Sequence, residues 1–433
     1  MLKPIAIVAR GTIIAQAIGL LVLPVLTRLY APAAFGQYQL FNSILSVLLV
    51  SASLRYEFSL LRVEDEREVG AILMLCLITN LVVAAAVGIG AYAVSLLVAR
   101  TGFSMPFAPW LLMLGMLAGG VGQFSFSLAM RRQAFGATSN AKVGQSICYF
   151  GAAAGIGAVA PSGRALMLAD IIGRFVNGAL LLALLRDQIG RAVRQMSVAQ
   201  IAGVALRHRE YPLFAVPSAL LGALTGSLTS ILIYSVYSAA TSGQYGLVDR
   251  CISLPLALTI TTIAQVFQAQ FSDRLRANPA SVALEYRRLI RILFLLALLP
   301  ALVLMAAGPQ LFLFVFGPSW QQAGEFARIL AISVPVQLCF GVVSTTLLLL
   351  GRPGFQLVWE ISRLAVLAGF WLAVWTLNLP PLMAVFGHTL ALIVSGGAYI
   401  AIASRLIARH PQTPAANTLG IDGLARDSEG CSG

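Results

Sequence analysis

Nine ionisable side chains interrupt the long apolar stretches of this sequence, and their chemistry is the first thing to explain. They are Arg10, Arg55, Glu57, Asp170, Arg174, Asp249, Arg250, Glu360 and Arg363. A charged side chain at the centre of a bilayer costs about 2.5–3.5 kcal/mol on insertion scales. We therefore expect each of the nine either to be paired with another charge or to face water.

The spacing of these residues predicts two ion pairs. Asp170 and Arg174 are four residues apart, and Glu360 and Arg363 are three apart, so each pair can meet on one face of a helix. Arg55 and Glu57, like Asp249 and Arg250, are too close along the chain to pair within one helix. We expect those four residues to find partners on other helices or to open into a cavity.

Two interpretations of the embedded charges follow. In the first, Arg55, Arg174, Arg250 and Arg363 line a cationic cavity that binds an anionic headgroup, because the planar guanidinium donates paired hydrogen bonds to phosphate. The acids Glu57, Asp170, Asp249 and Glu360 would then balance the arginines or carry coupling ions. In the second interpretation the charges are locked pairs that hold helices together. Asp249 is also expected near the outer end of its helix, where it could be an interfacial residue.

The elements that must position these side chains are apolar helices. The chain is 59% hydrophobic and 10% charged, whereas soluble domains are about 25% charged. About 20 helical residues cross a bilayer, and hydropathy predicts an all-α polytopic membrane protein with about twelve transmembrane helices. We place them near 5–27, 38–61, 69–98, 107–129, 143–160, 165–185, 212–236, 245–270, 289–307, 326–350, 354–376 and 383–404.

These helices are predicted to form two six-helix bundles, residues 1–185 and 212–405, around a central cavity. A basic amphipathic cytoplasmic linker helix, 186–211, joins them, and 406–433 is expected to be a disordered cytoplasmic tail. Of the 29 basic residues, 20 fall in one set of connections, including Lys142, and four (Arg28, Arg100, Arg164 and Arg328) fall in the opposite set. The positive-inside rule therefore predicts that both termini are cytoplasmic.

A short internal repeat supports the two-bundle arrangement. Gly36-Gln37-Tyr38 and Gly243-Gln244-Tyr245 open the second and eighth predicted spans, and they are 207 residues apart. Six spans separate the two copies, so both copies have the same orientation, as in parallel repeats related by an axis along the membrane normal.

The segment 308–325 is expected to be an interfacial loop on the outer side.

Several functions are excluded by composition. The five cysteines and three histidines have no paired or clustered spacing, so neither a disulfide framework nor a metal site is indicated. With only Lys3 and Lys142 in the chain, no phosphate-binding loop of the GxxxxGK[ST] type is possible. The net charge of +13 follows from the cytoplasmic bias and does not indicate nucleic acid. We expect a transporter without cofactors and without catalysis.

Some stretches resemble a known family. LPVLTRLYAPAAFGQYQLFNSILSVLLVSASLRYEFSLL at 23–61 is similar to the opening of bacterial polysaccharide and O-antigen flippases, the Wzx-like oligosaccharide flippases. They belong to the multidrug/oligosaccharidyl-lipid/polysaccharide exporter superfamily. The segments 211–233, 243–267 and 316–331 resemble the same family, and the resemblance spans about residues 5–405. Arg55 and Glu57 belong to it as part of Leu-Arg-Tyr-Glu.

The resemblance implies two six-helix bundles around a cationic cavity. It also implies that the protein moves undecaprenyl-pyrophosphate-linked oligosaccharide repeat units to the periplasmic leaflet, for O-antigen, capsule or exopolysaccharide synthesis. The implied location is the bacterial inner membrane. The implied partners are the lipid-linked oligosaccharide, membrane lipids, a polysaccharide polymerase and a chain-length regulator.

Other functions remain open from the sequence. A multidrug or toxic-compound exporter shares this architecture, although it would favour an acidic cavity for cationic drugs, and here embedded arginines outnumber acids by five to four. A flippase for peptidoglycan precursors would normally have two further C-terminal spans. A membrane polymerase or ligase would normally carry a large periplasmic loop.

Overall fold

The first half of the chain folds into six long helices followed by two short ones. A computed structural model describes residues 2–99, 106–277 and 279–408, and these fold into helices and turns without a strand. Helices α1 to α6 form the unit that we call the N-lobe. The bounds are α1 Leu2–Leu29, α2 Pro32–Leu49, α3 Glu66–Ala99, α4 Pro109–Arg131, α5 Phe135–Val159, α6 Gly163–Leu184, α7 Arg186–Gln195 and α8 Val198–Arg207.

The second half folds into eight helices, α9 to α16, that we call the C-lobe. The bounds are α9 Val216–Val236, α10 Ala239–Ala277, α11 Pro279–Phe316, α12 Gln321–Leu330, α13 Val334–Val343, α14 Thr346–Leu349, α15 Pro353–Thr376 and α16 Pro381–Ala408.

Three helices of the N-lobe begin where the sequence favours a helix start. α2 and α4 have a proline in their first turn. α6 is capped by the Ser162 side chain, which accepts from the Ala165 N–H at 3.3 Å.

The prediction of an all-α polytopic membrane protein is confirmed. Within the described residues, ten segments are long and apolar enough to cross a membrane, and they coincide with ten of the twelve predicted spans. The other two predicted spans correspond to α2 and α5. Both are helical, but their small and polar residues lower their hydropathy. α2 packs against α10, α9 and α6, and α5 packs against α1 and α6.

The second predicted span, 38–61, is not one helix. α2 ends at Leu49, and Leu54 and Arg55 adopt positive φ angles of 49° and 63° before a 3₁₀ helix over Tyr56–Leu61. The Ser51 hydroxyl donates to the Leu48 carbonyl at 2.7 Å, and such side-chain bonds compete with the helical ladder. Arg55 and Glu57 therefore lie on a turn and a 3₁₀ helix.

The prediction that 308–325 is an interfacial loop is also wrong. α11 continues through Pro309 to Phe316, and the break falls at Gly317, whose φ of 96° suits glycine. Trp320 is fully buried: its indole N–H donates to the Thr27 carbonyl at 2.9 Å. The tryptophan is thus a core contact and does not mark the membrane interface. The span predicted next, 326–350, is broken into α12, a 3₁₀ turn, α13 and α14.

The segment 186–211, predicted as one linker helix, contains two. The break lies at Met196, which is extended, and at Ser197, which forms a capping box with Gln200. Both short helices pack against α3. The division of the chain into domains stays a prediction, and of the tail predicted at 406–433, residues 409–433 lie outside the described residues.

The repeat is visible as reciprocal contacts between the lobes. α2 and α10 cross so closely that a Cβ at Gly36 would overlap the Ala239 carbonyl, and a Cβ at Gly243 would overlap the Pro32 carbonyl. Each contact is the other shifted by 207 residues. A pseudo-two-fold axis passing between the two helices produces this reciprocity.

Two tyrosines that are 207 residues apart make similar contacts in the two lobes, although the carbonyls that accept from them are 226 residues apart. The Tyr30 hydroxyl, after α1, donates to the Ala153 carbonyl at 2.7 Å, and the Tyr237 hydroxyl, after α9, donates to the Leu379 carbonyl at 2.7 Å. These tyrosines begin the segments YAPAAFGQY and YSAATSGQY. The duplication therefore extends from residue 30 to residue 38 and from 237 to 245.

The two lobes meet at one end of the molecule. One buried cluster, with Phe41, Leu247 and Trp320, contains residues of both lobes. A second cluster, which includes Leu128, lies within the N-lobe and its linker, and a third, which includes Phe271, lies within the C-lobe. The shared cluster extends from the starts of α2 and α10 along α2 to Ala52, and we call the end of the molecule where these two helices begin the closed end. The separate clusters lie towards the opposite end, which we call the open end.

Candidate substrate cavities

The N-lobe contains a cavity of about 330 Å³ between α4, α5, α6 and the turn after α2. Its charged lining residues are Arg55, Glu57, Lys142 and Arg174. Three cations therefore face one acid. Amide side chains supply further hydrogen-bonding groups, from Gln123, Gln145 and Asn177.

Arg174 is held from two sides. Its Nε donates to the Asp170 carboxylate at 2.7 Å, which is the ion pair expected from the spacing, and its Nη2 donates to the Asn42 Oδ1 at 2.9 Å. Asp170 is buried and does not line the cavity. The guanidinium is thereby fixed at the cavity wall, while the neutralising carboxylate stands behind it.

Glu57 and Arg55 find their contacts locally. The Ser53 hydroxyl donates to the buried Glu57 carboxylate at 2.6 Å, so the expected partner on another span is replaced by a residue of the same turn. The Arg55 guanidinium lies 5.2 Å from the Phe58 ring centroid, and its buried Nε has no hydrogen-bond partner among the described residues. This turn, together with the positive φ of Arg55, aims both side chains into the cavity.

Lys142 is a cavity residue that the sequence analysis missed. The prediction placed it in a cytoplasmic connection before a span starting at 143, but α5 already begins at Phe135. The Lys142 ammonium donates to the Thr12 hydroxyl at 3.0 Å and lies 5.9 Å from the Phe126 ring centroid. The lysine is half-buried, and a lone lysine close to a predicted helix start was the available signal.

Arg250 lines neither lobe's cavity and instead joins the lobes. It lies on α10, and its guanidinium stands 4.6 Å from the ring centroid of Tyr38 on α2. Its Nη1 donates to the Tyr149 hydroxyl on α5 at 3.4 Å. A C-lobe cation is therefore inserted between two aromatic residues of the N-lobe, about three turns from the start of α10.

The C-lobe contains a second cavity, of about 350 Å³, between α9, α10, α13, α15 and α16. Its titratable lining residues are Asp249, Arg363, His388 and Tyr245. Asp249 was expected near the outer end of its helix, but it lines this cavity and accepts from the Ser253 hydroxyl at 3.0 Å. The remaining polar lining comes from Thr225, Thr229, Ser230, Ser253, Gln337, Ser362 and Ser395.

His388 is the second residue that the sequence analysis missed. It is 5% exposed, and its Nδ1 lies 3.5 Å from the Thr229 hydroxyl. The rings of Tyr245 and Trp371 flank it, with centroids at 6.4 and 6.5 Å. A histidine inside an apolar stretch was visible in the sequence, but its neighbours were not.

The pair Glu360 and Arg363 lies at the wall of the C-lobe cavity. Arg363 Nη1 is 3.6 Å from Glu360 Oε2, as the spacing predicted, and Gln356 donates to Glu360 at 3.3 Å. The arginine also lies 5.4 Å from the Phe340 ring centroid. The four arginines grouped by the sequence analysis thus occupy three places: Arg55 and Arg174 together, Arg363 in the other lobe, and Arg250 between the lobes.

Comparison with known proteins assigns the family. A family model described as polysaccharide biosynthesis protein matches residues 25–325. The chain belongs to this family. The matched region contains every charged residue of the N-lobe cavity, and also Asp249 and Arg250. A comparison with curated proteins gave no match.

Solved structures show which fold the chain has. An inward-facing multidrug resistance transporter of the MATE family and MOP superfamily aligns with a TM-score of 0.71 and 16% identity, covering 92% of this chain and 94% of the other. An outward-facing structure of such a transporter gives 0.59 and 15%, covering 94% and 96%. The lipid II flippase MurJ, in an inward closed conformation, gives 0.70 and 11%, covering 91% and 86%. The chain therefore has the fold of this transporter superfamily.

Proposed function

We propose that this protein is a flippase that moves undecaprenyl-pyrophosphate-linked oligosaccharide repeat units from the cytoplasmic to the periplasmic leaflet. The observation that carries the proposal is the N-lobe cavity, where Arg55, Lys142 and Arg174 face a single acid, Glu57. Even when Asp170 behind Arg174 is counted, three cations against two acids leave one positive charge, which favours a pyrophosphate over a cationic drug. The family supplies the pathway, because its members serve polysaccharide biosynthesis.

The conformation of the molecule fits the beginning of a transport cycle, in which the substrate enters from the cytoplasmic side. We infer that the closed end faces the periplasm and the open end faces the cytoplasm, where the basic connections are concentrated. The chain aligns with the inward-facing transporter and the inward closed flippase at TM-scores of 0.71 and 0.70, and with the outward-facing transporter at 0.59, which supports an inward-facing state. In this orientation both termini are cytoplasmic, and the protein lies in the inner membrane.

The ion pair behind the cavity suggests how binding is coupled to transport. A substrate phosphate that takes hydrogen bonds from Arg174 competes with Asp170 for the same guanidinium. The carboxylate would then be buried without its partner, which is unfavourable unless it takes up a proton. Glu360, which is paired with Arg363 in the C-lobe, is the second acid that would carry a proton. On the periplasmic side, a polymerase and a chain-length regulator would consume the delivered units.

Surface-polysaccharide export tests the proposal in cells. Lys142→Gln removes a cavity charge with little loss of packing, and the double variant Asp170→Asn with Arg174→Gln removes a charge pair without stranding either member. We expect both to lower export while the protein stays in the membrane, and Arg164→Gln, at an exposed site, to export normally. Normal export by both cavity variants at normal abundance would reject the cationic site. Export of cationic drugs by the wild type, without any effect on polysaccharide, would favour the multidrug alternative.

A further inference from the structure

The C-lobe cavity has a chemistry different from that of the N-lobe cavity. Asp249 and Arg363 are its acidic and basic lining residues, and His388 is buried beside them. Arg363 is also paired with Glu360 at 3.6 Å, so the cavity has no excess positive charge, unlike the N-lobe cavity. Most of the other polar lining groups are hydroxyls, together with the Gln337 amide, and these groups both donate and accept hydrogen bonds.

This lining suits an uncharged polyhydroxylated ligand better than an ion. Within the described part of the chain, no three histidine, cysteine, aspartate or glutamate side chains are grouped as a metal site. The aromatic residues Tyr245 and Trp359 also line the cavity, and aromatic faces pack against the C–H faces of sugar rings. Tyr245 is 5% exposed, and no described residue is hydrogen-bonded to its hydroxyl. A carboxylate, an amide, several hydroxyls and two aromatic rings form a lining typical of carbohydrate sites.

The two cavities lie on either side of α2. Arg174, at the wall of the N-lobe cavity, is bonded to Asn42, and Ser230, at the wall of the C-lobe cavity, accepts from Gln39 at 3.2 Å. Asn42 and Gln39 are three residues apart, so they are neighbours on one face of α2, about 5–6 Å between their Cβ atoms. Each cavity therefore has a wall residue that is hydrogen-bonded to this face of α2, which places the two cavities next to each other across the helix.

The repeat explains how one duplicated unit acquired two chemistries. Tyr38 and Tyr245 are equivalent residues, but Tyr38 contacts the Arg250 guanidinium, whereas Tyr245 lines the C-lobe cavity beside Asp249. Asn42 and Asp249 are also equivalent under the offset of 207. The first bonds a cation of the N-lobe cavity, and the second bonds Ser253 in the C-lobe cavity. Equivalent positions thus serve a cationic cavity in one lobe and a cavity without excess positive charge in the other.

We propose that the C-lobe cavity binds neutral sugar units of the lipid-linked oligosaccharide while the N-lobe cavity binds its pyrophosphate. This inference rests on the flippase function proposed above. It predicts that the two cavities contribute separately to affinity. A variant of the C-lobe cavity should discriminate between lipids with and without sugar, and a variant of the N-lobe cavity should not.

Two probes separate these contributions: undecaprenyl pyrophosphate, and the same lipid carrying a neutral disaccharide, each titrated into purified full-length protein without an ion gradient. Gln337→Leu keeps the side-chain volume and removes hydrogen bonds, so we expect about tenfold weaker binding of the glycosylated probe and unchanged binding of the bare lipid. Asp249→Asn, a second and nearly isosteric variant, should have the same selective effect. The exposed Gln321→Leu is the matched control and should change neither affinity.

The outcomes distinguish this inference from the proposed function. If both C-lobe variants bind the two probes as tightly as the wild type does, or weaken both probes equally, the sugar site is wrong. Lys142→Gln should weaken both probes by a similar factor. The N-lobe cavity is tested by two variants, Lys142→Gln and the double variant Asp170→Asn with Arg174→Gln. If both bind the two probes as tightly as the wild type does, the assignment of the pyrophosphate to the N-lobe cavity is wrong, whatever the C-lobe variants show.

Discussion

The crossing of α2 and α10 makes a quantitative prediction about the closed end. Gly36 and Gly243 each face a backbone carbonyl of the other lobe, with no room for a methyl group. Gly36→Ala therefore forces the two helices apart in the state that the structure describes. Overpacking of this kind costs about 1–3 kcal/mol. In the transport cycle proposed above, α2 and α10 separate when the closed end opens, so the outward-open state would not suffer this cost.

The population should shift accordingly. A cost of about 1.4–2.8 kcal/mol changes the ratio of the two states about 10- to 100-fold towards outward-open. The assay is a spin-label distance measured across the closed end in purified protein, with labels on the turns at residues 31 and 238. We expect a longer distance for Gly36→Ala, and a larger change when Gly243→Ala is added.

The matched control is Gly151→Ala, a helical glycine whose added Cβ meets no atom within 4 Å. Its distance distribution should equal that of the wild type. If Gly36→Ala keeps the wild-type distribution while the protein stays folded and inserted, the closed end is not held by the glycine crossing. The assignment of the closed end as a gate between the lobes would then be refuted.

Three further predictions concern the rest of the molecule. Arg250→Leu removes the contact with Tyr38 and Tyr149 and should destabilise the closed end by about 1–2 kcal/mol. The measurement is the rate at which a thiol reagent labels a cysteine placed at residue 238, which should increase. An unchanged labelling rate would contradict the role of Arg250 in joining the lobes. An alkaline phosphatase fusion at residue 408 should be inactive and one at residue 317 active, and the reverse pattern would invert the orientation. Flipping in liposomes should respond to an imposed pH gradient and lose that response in Asp170→Asn or Glu360→Gln; a response that survives in both variants would reject these acids as proton carriers.

Local features of the fold were predictable from the sequence because they depend on spacing alone. The pairs Asp170–Arg174 and Glu360–Arg363 form as their spacing of four and three residues predicted. Ten of the twelve spans predicted from hydropathy coincide with apolar segments of the structure, since length and apolar composition are local properties. The tripeptide repeat predicted the duplication that the Gly36 and Gly243 contacts display.

Features that depend on contacts between distant segments were not predictable. Arg250 was grouped with the cavity arginines, because nothing local indicates that Tyr38 and Tyr149 surround it. The segment 308–325 was predicted to be an interfacial loop, because nothing local indicates that its Trp320 is buried and donates to the Thr27 carbonyl. The four arginines expected in one cavity lie in three places, because a count of charges does not reveal which lobe each charge enters.

The most direct measurement of the central claim is flipping itself. Liposomes containing the purified protein and a labelled undecaprenyl-pyrophosphate oligosaccharide report movement between leaflets by access of a membrane-impermeant reagent. We expect flipping by the wild type and by the exposed-site control Arg164→Gln. For Lys142→Gln, loss of one charge-assisted hydrogen bond, worth about 1.5–3 kcal/mol, predicts a rate at least about tenfold lower under subsaturating lipid. Equal flipping by Lys142→Gln and the wild type, or no flipping by the wild type at all, would contradict the account.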